Sequence, residues 1–125
     1  MDAEERKGAA VEFLKLSSSG RAREAAKRFL APGGVHHNPY FAAGWDSLIT
    51  AMEENAKAAP ERRFDVKRVL CDGDYVAVHS HVTHRPGEAG AAVVHIFRFE
   101  GGKIAEMWDV GQSIPADSPN RDGPF

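Results

Sequence analysis

Val93-Val94-His95-Ile96-Phe97-Arg98-Phe99-Glu100-Gly101-Gly102-Lys103-Ile104-Ala105-Glu106-Met107-Trp108-Asp109-Val110 decides the fold. Two runs rich in β-branched and aromatic residues flank a Gly-Gly pair, which is the pattern of a β-hairpin. Both runs carry apolar residues on both faces, so both faces of the sheet should be covered. Within them lie two ionisable residues, His95 between Val94 and Ile96, and Asp109 between Trp108 and Val110. A buried carboxylate without a partner is costly, so Asp109 should be paired or carry a raised pKa. A raised carboxylate pKa is what a general base or acid at neutral pH requires. His95, on the adjacent strand, is its natural partner. The structural alternative is a satisfied core polar group or a wet strand end.

Register decides whether the two can meet. A two-residue turn at Gly101-Gly102 pairs Glu100 with Lys103 and His95 with Trp108, sending Asp109 to the opposite face. A three-residue loop with a bulge pairs His95 with Met107, and both then point the same way. A Gly-Gly turn permits either.

Upstream, Tyr75 to Arg85 alternates: Val76, Val78, Ser80 and Val82 share one face, and Tyr75, Ala77, His79, His81 and Thr83 the other. Asp72-Gly73 joins it to a strand-like Phe64 to Leu70, and Pro86-Gly87-Glu88-Ala89-Gly90 turns the chain towards the hairpin. Further upstream the period becomes helical. Ala10, Phe13 and Leu14 follow an Asp2 cap, and Ser17-Ser18-Ser19-Gly20 breaks the helix. Ala22, Ala25, Ala26, Phe29 and Leu30 make a second stripe, which Pro32-Gly33-Gly34 ends. Val35 to Gly44 forms no periodic element. Asp46 can cap a third helix with Leu48, Ile49, Met52, Ala56 and Ala59 on its apolar side and Pro60 at its end.

Three helices followed by an antiparallel sheet predict an α+β domain, a cone whose helices pack on one face of a curved sheet and enclose a pocket. Residues 1–112 form that domain; residues 113–125, with Pro115, Pro119 and Pro124, read as a surface arm, a partner-clasping segment or a disordered tail.

The chain has 125 residues, enough for one core. Sixteen basic and 18 acidic residues leave a net charge of -2, with no basic excess for nucleic acid. Arg21, Arg23, Lys27 and Arg28 fit a solvated helix face. The single Cys71 excludes an intrachain disulfide and a thiolate zinc site. The charged N-terminus shows no secretory signal and no stretch reaches membrane-spanning length, so a reducing cytoplasm is the expected compartment, with no membrane partner.

Other polar residues compete for a site. His37 and Asn38 precede Pro39 on a loop, with His36 the weaker candidate of the three, and Tyr40, Phe41 and Trp45 suit the mouth of an apolar pocket as well as they suit ordinary packing. Phe13, Phe29, Met52, Phe97 and Met107 would supply apolar wall. His79 and His81 share a strand face and could ligate a metal. Gly73 followed by His-x-His resembles half of a cupin motif, but Glu88 comes too late and no second motif follows, so water or a subunit interface is the simpler setting. There is no Gly-rich phosphate loop, serine elbow or redox cysteine pair, and nothing points to a nucleotide or flavin.

His37-Asn38-Pro39, the run Val93 to Ile104, and Glu106-Met107-Trp108-Asp109-Val110-x-Gln112 resemble SnoaL-like polyketide cyclases of the NTF2-like superfamily. The likeness covers nearly the whole chain, and the tail from Gln112 looks like that of a bacterial subgroup called predicted SnoaL-like aldol condensation-catalysing enzymes. The resemblance implies a cofactor-free pocket, usually in a homodimer, in which an aspartate removes a proton alpha to a carbonyl. Asp109 falls at that aspartate and His95 where the family often has His or Asp in the pocket. Ketosteroid isomerases share the fold, but Phe13 stands where their oxyanion tyrosine would be and Asn38 where their base would be. The expected chemistry is aldol, cyclase or isomerase type, with Asp109, His95 and His37 catalytic, Asn38 orienting the carbonyl, and a small molecule as partner. A binding or accessory protein without turnover, and a metal protein at His79 and His81, are the competing expectations.

Overall fold

A computed structural model describes all residues 1–125. Helix α1 spans Ala3–Ser18, α2 Ala22–Phe29 and α3 Trp45–Ala58; the strands are β1 Leu30–His36, β2 Arg63–Asp72, β3 Tyr75–Thr83, β4 Ala91–Glu100 and β5 Lys103–Ser113. The five strands form one sheet in the order β1-β5-β4-β3-β2. Only β1 runs parallel to its neighbour β5; the other pairings are antiparallel. The helices lie over one face, so the α+β cone expected from the sequence is the fold found. No helix is long and apolar enough to cross a membrane.

Helix α1 begins with a reciprocal cap: the Asp2 side chain accepts from the Glu5 amide at 2.8 Å, and the Glu5 side chain accepts from the Asp2 amide. Its Phe13 is fully buried and meets Phe97 of β4 edge to face, ring centroids 5.9 Å apart. That contact ties the longest helix to the middle of the sheet. Val76, Val78, Ser80 and Val82 of β3 are buried, as the alternation requires, and His79 and His81 face the other way.

Three local expectations change. Leu30 does not end α2 but opens β1, and residues 30–36 are a strand rather than aperiodic chain. Pro32, Gly33 and Gly34 hid it because these residues are poor strand formers. The parallel ladder skips them, pairing Leu30 with Ile104 and then Val35 with Glu106. Gly34 is required by space: a Cβ there would lie 2.4 Å from the Trp45 ring and 2.7 Å from the Ala105 carbonyl. Asp46 does not cap α3. Gly44 takes the cap position without a side-chain bond, and Asp46 sits in the first turn, where the helix dipole still favours a carboxylate.

The third change concerns the β4–β5 register. The turn is tight, with Glu100 opposite Lys103 and Phe99 opposite Ile104, but the pairing then shifts to Arg98 opposite Glu106. Ala105 is the extra residue, a bulge one step inside the strand rather than at the turn. His95 therefore stands directly opposite Asp109, neither Trp108 nor Met107. The buried run explains the bulge. Ile104, Ala105 and Met107 are all buried, while Glu106 stays on the outer face in an ion pair with Arg98 at 3.0 Å. Strict alternation would have turned Glu106 into the core.

Strand β5 continues to Ser113, which pairs with Ala91. The remaining tail crosses the outer face, where the Phe125 ring lies 5.2 Å from the His79 ring and 5.0 Å from the His81 ring, with the Lys67 ammonium 5.3 Å from its centroid.

Candidate functional site

The bulge sends Asp109 and His95 to the concave face, into a cavity of about 120 Å³ between the sheet and α1 and α3. Phe13 and Leu14 of α1, Leu48 and Met52 of α3, Phe64 of β2 and Met107 of β5 make its apolar wall. Ser17, Ser18, Asn38, Asn55, Arg62, His95 and Asp109 are the polar residues on it. An apolar cleft with a few convergent polar groups is the ordinary form of a small-molecule site. A wider open groove at Asn55, Pro60, His84 and Glu88 lies outside the cup and holds none of the residues singled out from the sequence.

Asp109 is half-buried. Asn38 Nδ2 donates to its Oδ2 at 2.9 Å, and its Oδ1 has no protein partner. Asn38 is itself immobilised: its Oδ1 accepts from the Tyr40 amide at 2.9 Å, and its backbone N–H donates to His36 Nδ1 at 3.1 Å. His36 is buried, and its Nε2–H donates to the Ala42 carbonyl at 2.8 Å. These two partners fix a neutral His36 tautomer, protonated on Nε2. The loop after β1 is therefore built around His36, and its product is one amide aimed at one carboxylate oxygen.

His95 lies beside Asp109, stacked on Phe97 and tilted against Phe64 at 5.8 Å. Its Nδ1 is buried without a partner, and Nε2 makes no protein hydrogen bond. Burial lowers its pKa to about 4; the Asp109 charge works against that shift and the Arg62 charge adds to it. His95 is thus a neutral imidazole at pH 7.

The expected residues do not all meet. Phe13, Asn38, Met52, His95, Met107 and Asp109 line the cavity. Phe97 lies beneath it in the core. Trp45 serves packing: its indole N–H donates to the Ala31 carbonyl at 2.8 Å and its ring covers Gly34. Tyr40 is 86% exposed, and its neighbour Phe41 reaches the cavity instead. His37 is on the outer face. Its Nε2 lies 2.6 Å from a Glu106 carboxylate oxygen, and its ring stacks on Trp108 at 5.0 Å. Alternation explains it: with His36 turned into the core, the next residue must turn out. His79 and His81 are also outside, His79 hydrogen-bonded to Arg68 and the His81 Nε2–H donating to the Ala89 carbonyl at 2.7 Å. No three His, Cys, Asp or Glu side chains cluster as a metal would need.

Ser17, Ser18, Asn55 and Arg62 are polar lining residues that sequence reasoning missed, and Arg62 is the charged one. It follows Pro60 and precedes Arg63, which reads as surface. The signal was nevertheless present, because Arg62, Phe64 and Val66 share one period-2 face, and Phe64 and Val66 point inwards.

Comparison with known proteins agrees with this fold. Residues 10–107 match the SnoaL-like domain family, and the chain belongs to it. No curated protein matches the sequence. Among solved structures, AclR from Streptomyces galilaeus, provisionally called a hydroxylase, is 25% identical, with a TM-score of 0.73 over 89% of this chain and 91% of its own. A SnoaL-like family protein from Agrobacterium tumefaciens, provisionally called an isomerase, is 12% identical, with a TM-score of 0.72 over 86% of this chain and 98% of its own. TsrD from Streptomyces laurentii is 19% identical, with a TM-score of 0.73 over 90% of this chain and 91% of its own. The last two likenesses are of fold alone.

Proposed function

We propose that this chain is a cofactor-free enzyme that moves a proton alpha to a carbonyl, in a reaction of the aldol, cyclase or isomerase type. The observation behind it is the Asn38–Asp109 bond of 2.9 Å on the wall of a cavity lined by both apolar and polar residues, with neutral His95 opposite Asp109 on the next strand. Asp109 Oδ1, free of protein partners, is the base. Asn38 holds the carboxylate in place as a positioning residue, and its second amide hydrogen can donate to a carbonyl oxygen. His95 Nε2 faces the developing enolate as a neutral donor, with the proton on that nitrogen. His37 has no part in this site.

The direct test is exchange of alpha protons of small ketones into deuterated water. Asp109→Asn should keep the fold and slow exchange by at least about a hundredfold, the scale of general-base catalysis. Exchange unchanged in that variant rejects the reading. Ligand binding that survives the substitution, with no exchange in either protein, marks a binding protein without turnover.

The same proposal extends to assembly as a homodimer. Val35, Leu70, Tyr75 and Val110 are exposed on the outer sheet face, with Val110 and Leu70 at 64% and 63%. They share that face with Trp108 and Ile96, and a second copy is the occupant that would cover it.

A further inference from the structure

The Arg62 guanidinium lacks a protein partner. It forms no ion pair or hydrogen bond through its side chain, and its Nε is buried without an acceptor. Burial lowers its pKa, and no neighbouring carboxylate opposes that shift. Arg62 is partly buried and Nε is the atom sealed from water; a sealed cationic donor is ordinarily paired, because its desolvation otherwise goes uncompensated. Here the pairing group is missing from the chain itself, on the wall of the cavity that holds Asp109.

Position gives the unpaired guanidinium a meaning. Asp109 and Asn38 belong to the β1–β5 edge of the sheet, and Arg62, just before β2, belongs to the opposite edge. His95 on β4 lies between them and feels both charges. Asp109 and Arg62 do not pair, so a molecule in the cavity meets a carboxylate at one end and a cation at the other. A guanidinium offers a planar fork matched to a carboxylate. Cavity size limits the rest. A 150 Å³ apolar cavity takes benzene, so about 120 Å³ holds a ligand of a few heavy atoms rather than a fused polycycle.

Resting on the carbon-acid reading above, we infer that Arg62 is an anion subsite and that the substrate is a small keto acid, its carboxylate at Arg62 and its carbonyl end at Asp109. Arg62 also borders Ser18 and Ser19 at the C-terminal end of α1, where a cation suits the helix dipole. It makes no hydrogen bond there, so that role leaves Nε unsatisfied.

The probes are pyruvate and levulinate with their methyl esters, titrated into isotopically labelled protein by NMR while following the Arg62 Nε–H signal. The acids should bind at least about tenfold more tightly than the esters, the scale of a charge-assisted pair, and should shift that signal. Arg62→Gln should erase the preference and Arg62→Lys should keep part of it. Acids that bind no better than esters, or that leave the Arg62 signal unmoved, overturn the subsite. These wild-type measurements decide the matter even if Arg62→Gln does not fold. Asp109→Asn separates the two proposals. Lost exchange with no acid preference rejects only the subsite, whereas acid preference with exchange unaffected by the substitution rejects only the base.

Discussion

Asp109 and His95 illustrate how neighbours set the character of a side chain. Both lie between apolar residues, yet one has an amide donor and the other has a buried ring nitrogen with no partner. The His95 pKa falls from 6.5 to about 4 on folding, because burial disfavours the imidazolium. The unfolded chain therefore binds a proton that the folded chain refuses. No penalty arises above pH 6.5, and stability declines as pH drops from there towards 4, by up to about 3 kcal/mol. Urea unfolding at pH 7.0 and pH 5.0 checks this: the wild type should lose stability between them, and His95→Gln should lose less. His36 is fixed differently, by an acceptor on one ring nitrogen and a donor on the other. Its adjacency to His37 in sequence says nothing of shared chemistry, since they face opposite sides of β1.

At the level of elements, the long periodic segments were legible in the sequence and the irregular ones were not. The alternation of β3 identified its buried face residue by residue, because one face carries Val76, Val78 and Val82. Strand β1 was not legible, because its pairing with β5 comes from distant chain and its middle is Pro32-Gly33-Gly34. The Ala105 bulge left a trace: Ile104, Met107 and Asp109 can share a face only if one residue between Ile104 and Met107 is extra. Two irregularities thus face each other, the looped-out middle of β1 and the bulge in β5, and the Trp45 ring fills the space against Gly34. Gly34→Ala should destabilise by about 1–3 kcal/mol, the cost of overpacking, although Gly34 is not in the left-handed region. A thermal melt reads it; an unchanged melting temperature would show that the Trp45 ring and β5 give way easily around Gly34. The half of the site carried by β4 and β5 was readable from local pattern. Arg62 and Asn55 extend faces that local pattern shows, Arg62 with Phe64 and Val66 and Asn55 with Leu48 and Met52; what no local pattern encodes is that both faces border the cavity.

For the whole molecule, the sheet divides two kinds of surface. The concave side holds the cavity and the candidate site residues; the convex side is apolar at Val110, Leu70 and Tyr75 and charged at Arg98, Glu100 and Glu106. The proposed dimer should appear as two chains in native mass spectrometry and in light scattering at micromolar concentration. Val110→Glu combined with Leu70→Glu should shift it to one chain while leaving the proposed Asp109-dependent exchange in place. A wild type that stays single under those conditions removes the dimer and leaves the cavity chemistry untouched.

The two tryptophans fall on opposite sides of the same sheet. Trp45 is wedged against Gly34 with its indole N–H bonded to a carbonyl, and Trp108 lies outside between His37 and Tyr75. The molecule therefore carries two optical reporters that respond to different events. Emission from Trp45 follows the integrity of the α3–β1 wall, and emission from Trp108 follows whatever settles on the convex face. Comparing wild type with Trp108→Phe splits the spectrum into its two sources, so assembly and cavity-side rearrangement can be followed separately, without a label.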